Sequence, residues 1–182
     1  MTAFRTTERL ILRPMREKDA PFLVAYRRDP EVAKFQSWTA FDEELARGFI
    51  SELSQRQPGT PEEGYQMGIA RRDTDELIGD LYLRLLDYDP RQAEIGYTLA
   101  RPHQRRGYAR EAVRAFCGYL FDDLQLHRLI AYTSTENVRS VRLLESLGFR
   151  REGWTRESVD INDRWHDEYL YALLRREWSN ET

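Results

Sequence analysis

Several features that mark specialised protein classes are scarce in this sequence. Cys117 is its one cysteine, which excludes an intrachain disulfide and any multi-cysteine metal cluster. The three histidines are scattered without the spacing of metal ligands, so we expect no metal site. No run approaches the ~20 apolar residues that span a bilayer. The start also lacks the apolar core of a secretory signal, so we expect no membrane partner and a cytoplasmic location.

An excess of charge of one sign is also lacking. The 182 residues carry a net charge of −3, with 41% hydrophobic and 32% charged residues, a balance typical of globular proteins. Without a global positive field, nucleic acid is not an expected partner. The absence of a G-x-x-x-x-G-K-[ST] phosphate loop disfavours one class of nucleotide-binding protein. Since no repeat or long linker divides the chain, we expect a single domain over residues 1–182.

The spacing of the apolar residues predicts a mixed α+β domain. Alternating or buried-looking runs predict seven strands, over 9–14, 65–71, 77–86, 93–99, 128–133, 149–158 and 165–174. Helical spacing and capping residues predict four helices, which begin at Asp19, Thr39, Tyr108 and Asn137. The strand–helix–strand unit within residues 93–133 predicts a parallel crossover in an otherwise antiparallel, twisted sheet flanked by helices.

One short basic segment predicts an anion site. Gln104-Arg105-Arg106-Gly107-Tyr108-Ala109 connects the strand that ends at Leu99 to the helix that begins at Tyr108. A loop at a helix N-terminus presents free N–H groups and the positive end of the helix dipole to a ligand. Gly107 has no Cβ, so a phosphate can approach the backbone closely. We therefore predict a pyrophosphate-bearing ligand here; a solvated charge run is the alternative for Arg105 and Arg106.

Ordered fragments along nearly the whole chain resemble one known family. The loop fits the Q/R-x-x-G-x-G/A signature of the GNAT superfamily of N-acetyltransferases, with Ala109 where many relatives have glycine. The fragments that look like its branch of ribosomal-protein N-terminal acetyltransferases include Thr7-Glu8-Arg9-Leu10-Ile11-Leu12-Arg13, Asn137-Val138-Arg139-Ser140 and Leu147-Gly148-Phe149. The resemblance implies a three-layer α+β fold whose central strands splay apart.

The same resemblance implies acetyl-CoA as co-substrate and no metal. The cofactor-binding residues it implies are Tyr97, Thr98, Leu99, Gln104, Arg105, Arg106, Gly107, Tyr108, Ala109, Asn137 and Ser140. The loop amides would hold the pyrophosphate, and the residues from Tyr97 to Leu99 would line the pantetheine arm, with the Leu99 amide near the thioester carbonyl. Asn137 would bond the pantetheine portion, and Ser140 would lie near the sulfur.

Acetyl transfer to an amine needs a group that accepts the ammonium proton and a donor for the departing thiolate. Glu94, on the strand that leads to the loop, is the candidate base, directly or through a water. A cross-strand ion pair with Arg84 is the alternative role for Glu94. Ser140 is the candidate thiolate donor, against a serine that only bonds nearby backbone.

These features together predict an acetyl-CoA-dependent N-acetyltransferase that acts on a primary amine. A protein N-terminal α-amino group is the leading acceptor, after the branch that the chain resembles. A small-molecule amine, amino acid or antibiotic as acceptor is one alternative, and a CoA-binding module without catalysis is another. A homodimer is suggested by aromatic residues of the last two strands, which include Trp154, Trp165, Tyr169 and Tyr171.

Overall fold

The structure is a computed structural model that describes residues 3–36, 38, 42–161 and 163–178. Its strands are β1 (Arg5–Thr6), β2 (Leu10–Pro14), β3 (Tyr65–Arg71), β4 (Leu77–Leu86), β5 (Asp89–Leu99), β6 (Arg128–Ser134), β7 (Arg150–Asp160) and β8 (Trp165–Leu174). Its helices are α1 (Ala20–Arg27), α2 (Pro30–Ala33), α3 (Glu43–Ser54), α4 (Tyr108–Gly118) and α5 (Val138–Ser146). The strands form one sheet in the order β1-β2-β3-β4-β5-β6-β8-β7. This mixed sheet with flanking helices confirms the predicted fold class.

The centre of the sheet opens into a gap between β5 and β6. These two strands are parallel, as the crossover through α4 predicts, whereas the other neighbouring strands pair antiparallel. Their ladder comprises only the pairs Gln92–Arg128, Ala93–Leu129 and Glu94–Ile130. Both strands continue beyond the last pair, to Leu99 and Ser134, without further pairing to each other. The predicted splay of the central strands is therefore present.

Helices pack on both faces of the sheet. Successive side chains of a strand point to opposite faces, so Tyr97 and Thr98 identify the two sides. The Tyr97 hydroxyl hydrogen-bonds to Ser140 in α5, so α5 lies on the face of Tyr97. Asp80, the ladder partner of Thr98, accepts a hydrogen bond from Tyr26 in α1, so α1 lies on the face of Thr98. We call these the α5 face and the α1 face.

Local chemistry explains where predicted boundaries differ from the structure. Asp19 precedes α1, but its carboxylate accepts hydrogen bonds from the buried Arg13 guanidinium (2.7 and 3.0 Å) and caps no amide of α1. Asp42 caps α3 by accepting from the Leu45 N–H (2.8 Å), and the predicted start at Thr39 lies outside the described residues. Strand β5 begins at Asp89, four residues early, because the β4–β5 turn is tight and pairs Leu86 with Asp89.

The helix that begins at Tyr108, as predicted, has two parts. Regular α-helix ends at Gly118, and a single π-helical turn continues it over Tyr119–Asp123. Cys117 is fully buried in this helix, where it packs in the hydrophobic core. No helix of the described ranges is long and apolar enough to cross a bilayer.

Candidate active site

A cleft of about 510 Å³ opens where β5 and β6 diverge. Its walls are the end of β5, the loop before α4, the first turn of α5, and α2 with the residues that follow it. The predicted cofactor residues that line it are Tyr97, Thr98, Leu99, Gln104, Arg105, Gly107, Ala109, Asn137 and Ser140. Arg106, Tyr108 and Glu94 are not among its lining residues. Positive charge from Lys34, Arg110 and Arg139 also borders the cleft, which suits a phosphate-bearing ligand.

The loop before α4 has the backbone of an anion cradle. Arg105 and Gly107 both adopt positive φ angles, 61° and 81°, a conformation that is costly for residues other than glycine. The first hydrogen bond within α4 runs from the Glu111 N–H to the Gly107 carbonyl (3.1 Å). The preceding amides therefore have no acceptor within the helix and are available to an anion. These residues fit a pyrophosphate.

Gln104 ties the loop to both walls of the cleft. Its side-chain amide donates to the Leu99 carbonyl at the end of β5 (2.9 Å). Its side-chain oxygen accepts a hydrogen bond from Arg139 in α5 (3.1 Å). The loop, the strand and the helix are thereby held in a fixed relation at the mouth of the cleft.

The first turn of α5 brings two hydroxyl groups together across the gap. Asn137 caps the helix by accepting from the Ser140 N–H (3.2 Å), which confirms the predicted cap. The Ser140 Oγ lies 2.7 Å from the Tyr97 hydroxyl. Burial raises the pKa of the Tyr97 phenol, so this hydroxyl keeps its proton at neutral pH. The pair can donate a proton into the cleft.

Two carboxylates lie on the α1 face beside the gap. Glu94 forms the cross-strand ion pair with Arg84 (3.0 Å), the alternative geometry considered from the sequence. Glu168 lies on the same face, because Glu94 pairs with Ile130, four residues before Ser134, and Ser134 pairs with Glu168. Burial and the negative charge of Glu94 raise the pKa of Glu168. A hydrogen bond from Ser158 (3.2 Å) acts in the opposite direction and lowers that pKa, but the net shift is upward.

Glu168 is not among the candidate residues named from the sequence. The alternation of side chains that puts Glu168 on one face of the last strand is visible in the sequence, but the register of β8 against β6 is not. Within the described residues, no group of three histidine, cysteine or acidic side chains is placed to hold a metal ion.

Comparison with known proteins assigns this architecture. Residues 9–150 match the family model described as an acetyltransferase (GNAT) domain. The chain belongs to the GNAT family. A GNAT acetyltransferase structure from Bacillus anthracis superposes with a TM-score of 0.81 at 31% identity, over 94% of this chain and 98% of that one. The protein is thus a GNAT N-acetyltransferase that uses acetyl-CoA as co-substrate.

Curated relatives of this GNAT enzyme differ in their acceptors. The uncharacterized N-acetyltransferase p20 of Bacillus licheniformis is 38% identical over 174 residues, which is 95% of this chain and 97% of the relative. The ribosomal protein uS5-alanine N-acetyltransferase of Escherichia coli is 26% identical, over 96% of this chain and 92% of the relative. The spermidine N(1)-acetyltransferase of Vibrio cholerae is 33% identical, over 58% of this chain and 61% of the relative.

Proposed function

We propose that this GNAT enzyme acetylates the α-amino group at the N-terminus of a protein or peptide. The observation that carries the proposal is the exposed part of the α1 face beside the gap. Tyr132 on β6 is 44% exposed there, between Glu94 and Glu168 in the order of the strands. A polypeptide can lie across this surface and direct its first amine towards the gap. Similarity to the uS5 enzyme over 96% of this chain supports the same acceptor class.

We further propose how the co-substrate is held. The amides from Arg105 to Ala109 bind the pyrophosphate, and Gln104 and Arg106 maintain the shape of the loop. The pantetheine arm lies in the gap along Tyr97, Thr98 and Leu99 and adds backbone hydrogen bonds to the unpaired edge of β5. This edge faces the gap because the β5 ladder to β6 ends at Glu94. Asn137 and Ser140 contact the arm from the first turn of α5, and Tyr108 packs behind the loop.

The proposed chemistry moves one proton on each side of the gap. An α-amine has a pKa of about 8, so a modest base suffices to take its proton. Glu94 accepts this proton, directly or through a water, and Glu168 attracts the ammonium form of the acceptor. The amine nitrogen bonds to the acetyl carbon and the carbon–sulfur bond breaks. The thiolate takes a proton from the Ser140 and Tyr97 hydroxyl pair, and the second proton that the nitrogen gives up as the amide forms passes through water to restore that pair, while Glu94 releases its proton to solvent.

A panel of acceptors tests the proposal. Thiol release is measured with a peptide that has a free N-terminus, the same peptide N-acetylated but with an internal lysine, spermidine and an aminoglycoside. We expect turnover of the free peptide alone, with the acetyl group located on the α-nitrogen by mass spectrometry. A higher kcat/KM for spermidine would overturn the peptide assignment, and no turnover with any amine would favour a binding module.

The co-substrate site has its own control. In Gly107→Glu, a side chain is forced onto a left-handed backbone (φ 81°) and its Cβ would lie 3.2 Å from the Arg9 guanidinium, so the loop and its amides must shift and calorimetry should show greatly weakened acetyl-CoA binding. Circular dichroism establishes that the variant is folded. Unchanged affinity in a folded variant would contradict the loop as the pyrophosphate site.

A further inference from the structure

The segment before β2 contacts the loop at the start of α4, which packs against β1 and β2. The Arg9 side chain donates from Nε to Glu111 Oε2 (2.7 Å) and from Nη1 to the Arg106 carbonyl (2.9 Å). Its guanidinium also lies 4.6 Å from the centre of the Tyr108 ring. The Arg9 side chain therefore contacts the loop at Arg106 and the first turn of α4 at Tyr108 and Glu111, and it does so from outside the cleft.

The bond to the Arg106 carbonyl has a consequence for the neighbouring amide. In a trans peptide the C=O and N–H groups point in opposite directions, and the described backbone has no cis peptide bond. Because the Arg106 carbonyl points to Arg9, the Gly107 N–H points away from Arg9. Gly107 lies between the cleft and a second groove, and Arg9 borders that groove but not the cleft, so an N–H that points away from Arg9 points to the side of the cleft.

Glu111 holds Arg9 in this position. Its Oε1 accepts hydrogen bonds from the Thr7 hydroxyl (2.6 Å) and from the Arg9 N–H (3.0 Å), while Oε2 accepts from the Arg9 side chain. Burial favours the neutral acid, but these hydrogen bonds hold the pKa of Glu111 below its ordinary value. At neutral pH the carboxylate is therefore charged, and Thr7, Arg9 and Glu111 form a fixed unit that we call the strap.

We propose that Arg9 and Glu111 are positioning residues for acetyl-CoA, which aim the Gly107 amide at the diphosphate through the Arg106–Gly107 peptide. The inference rests on the proposed pyrophosphate site and extends it to residues that do not line the cleft. It predicts that the strap matters only for donors that carry a diphosphate.

Two acetyl donors test the strap. S-acetylpantetheine has the thioester and the pantetheine arm of acetyl-CoA but no diphosphate. In Arg9→Gln the KM for acetyl-CoA should rise about tenfold to hundredfold, the scale of one lost charge-assisted hydrogen bond. The kcat at saturating acetyl-CoA and the kcat/KM for S-acetylpantetheine should stay within about twofold of wild type, since neither depends on the diphosphate contact.

Matched variants complete the design. Arg5→Gln removes an arginine of the same N-terminal segment that pairs with Asp122 and Asp123 at the far end of the same helical segment, and should leave both donors unaffected. Glu111→Gln should reproduce Arg9→Gln, and the double variant should add little because the two residues act as one unit. Arg9→Lys retains the charge without the fork that bonds two partners, and should be intermediate.

The results separate the possible failures. An unchanged acetyl-CoA KM in folded Arg9→Gln, or an equal loss with both donors, would overturn the inference. If Arg9→Gln does not fold by circular dichroism, the same comparison in Arg9→Lys decides. Failure of the pyrophosphate site itself is distinguished by Gly107→Glu, which would then keep its acetyl-CoA affinity.

Discussion

At the scale of single residues, one experiment distinguishes the two candidate roles of Glu94, general base and ion-pair partner of Arg84. Its carboxylate is oriented by Arg84 and lies where the β5–β6 ladder ends. If it accepts the amine proton, Glu94→Gln should lower kcat by about 10²–10⁴-fold, the usual contribution of a positioned base. Acetyl-CoA affinity should change little, and the ascending low-pH limb of the pH–rate profile, which reports the base losing its proton, should shift or vanish. Near-wild-type kcat at neutral pH would leave Glu94 an ion-pair partner of Arg84.

Glu168 should favour acceptor binding but reduce the stability of the fold. Its pKa is raised by burial and by Glu94, so the charged form is disfavoured in the folded state. A carboxyl with a raised folded pKa contributes stability below its unfolded pKa and loses it as pH rises through the folded pKa. At neutral pH, Glu168→Gln should therefore melt at or above the wild-type temperature while the acceptor KM rises. A lower melting temperature with unchanged KM would assign Glu168 a structural role.

The acceptor KM of the wild type should also depend on pH through Glu168. As pH falls towards its raised pKa, the carboxyl takes up a proton and attracts the ammonium less, so KM should rise. Glu168→Gln should flatten this dependence. Steady-state kinetics at saturating acetyl-CoA measure both, and an equal pH dependence in the variant would contradict the assignment.

At the scale of elements, the start of α5 combines a cap with a ligand contact. Asn137→Ala should cost about 1 kcal/mol of cap energy, or roughly 2–4 °C in melting temperature for a chain of this size. Asn137→Asp is the matched control, since it keeps an acceptor for the Ser140 N–H but loses the amide donor. Loss of CoA affinity in both variants, with stability lost only in Asn137→Ala, is expected. Wild-type affinity in Asn137→Asp would leave only the cap.

The elements also show what a sequence can and cannot predict. Local signals are sufficient for β3 and β4, whose bounds match the prediction because alternation and turn residues are adjacent in the chain. The loop before α4 is likewise local. The strap joins residues 102 positions apart, and the Glu94–Glu168 relation depends on the registers of three strands. Long-range packing decides both, and a single sequence contains no direct measure of it.

At the scale of the whole molecule, β7 is the longer of the two edge strands of the sheet, the other being β1. Among the strands that the structure describes, β7 pairs with β8 alone, and Trp154 and Trp165 of this hairpin are 60% and 61% exposed, whereas Tyr171 is fully buried. A long exposed edge with aromatic residues favours pairing with another chain, so we expect a homodimer. Light scattering should give twice the chain mass at micromolar concentration, and Trp154→Glu should give a monomer. Leu45→Glu, at an apolar residue of similar exposure on α3, is the control; a monomeric wild type would contradict the expectation.

The three-pair junction between β5 and β6 has a consequence for the life of the protein in a cell. The folded chain without its donor has a sheet whose halves are joined by three residue pairs, and a pantetheine arm in the gap would act as a missing strand. A ligand present at a hundred times its Kd stabilises a folded state by about 2.7 kcal/mol, which lowers the unfolded population about a hundredfold. Proteases that degrade the unfolded chain would then remove the enzyme faster when acetyl-CoA is scarce. The amount of enzyme would follow the supply of its own substrate without any dedicated regulator.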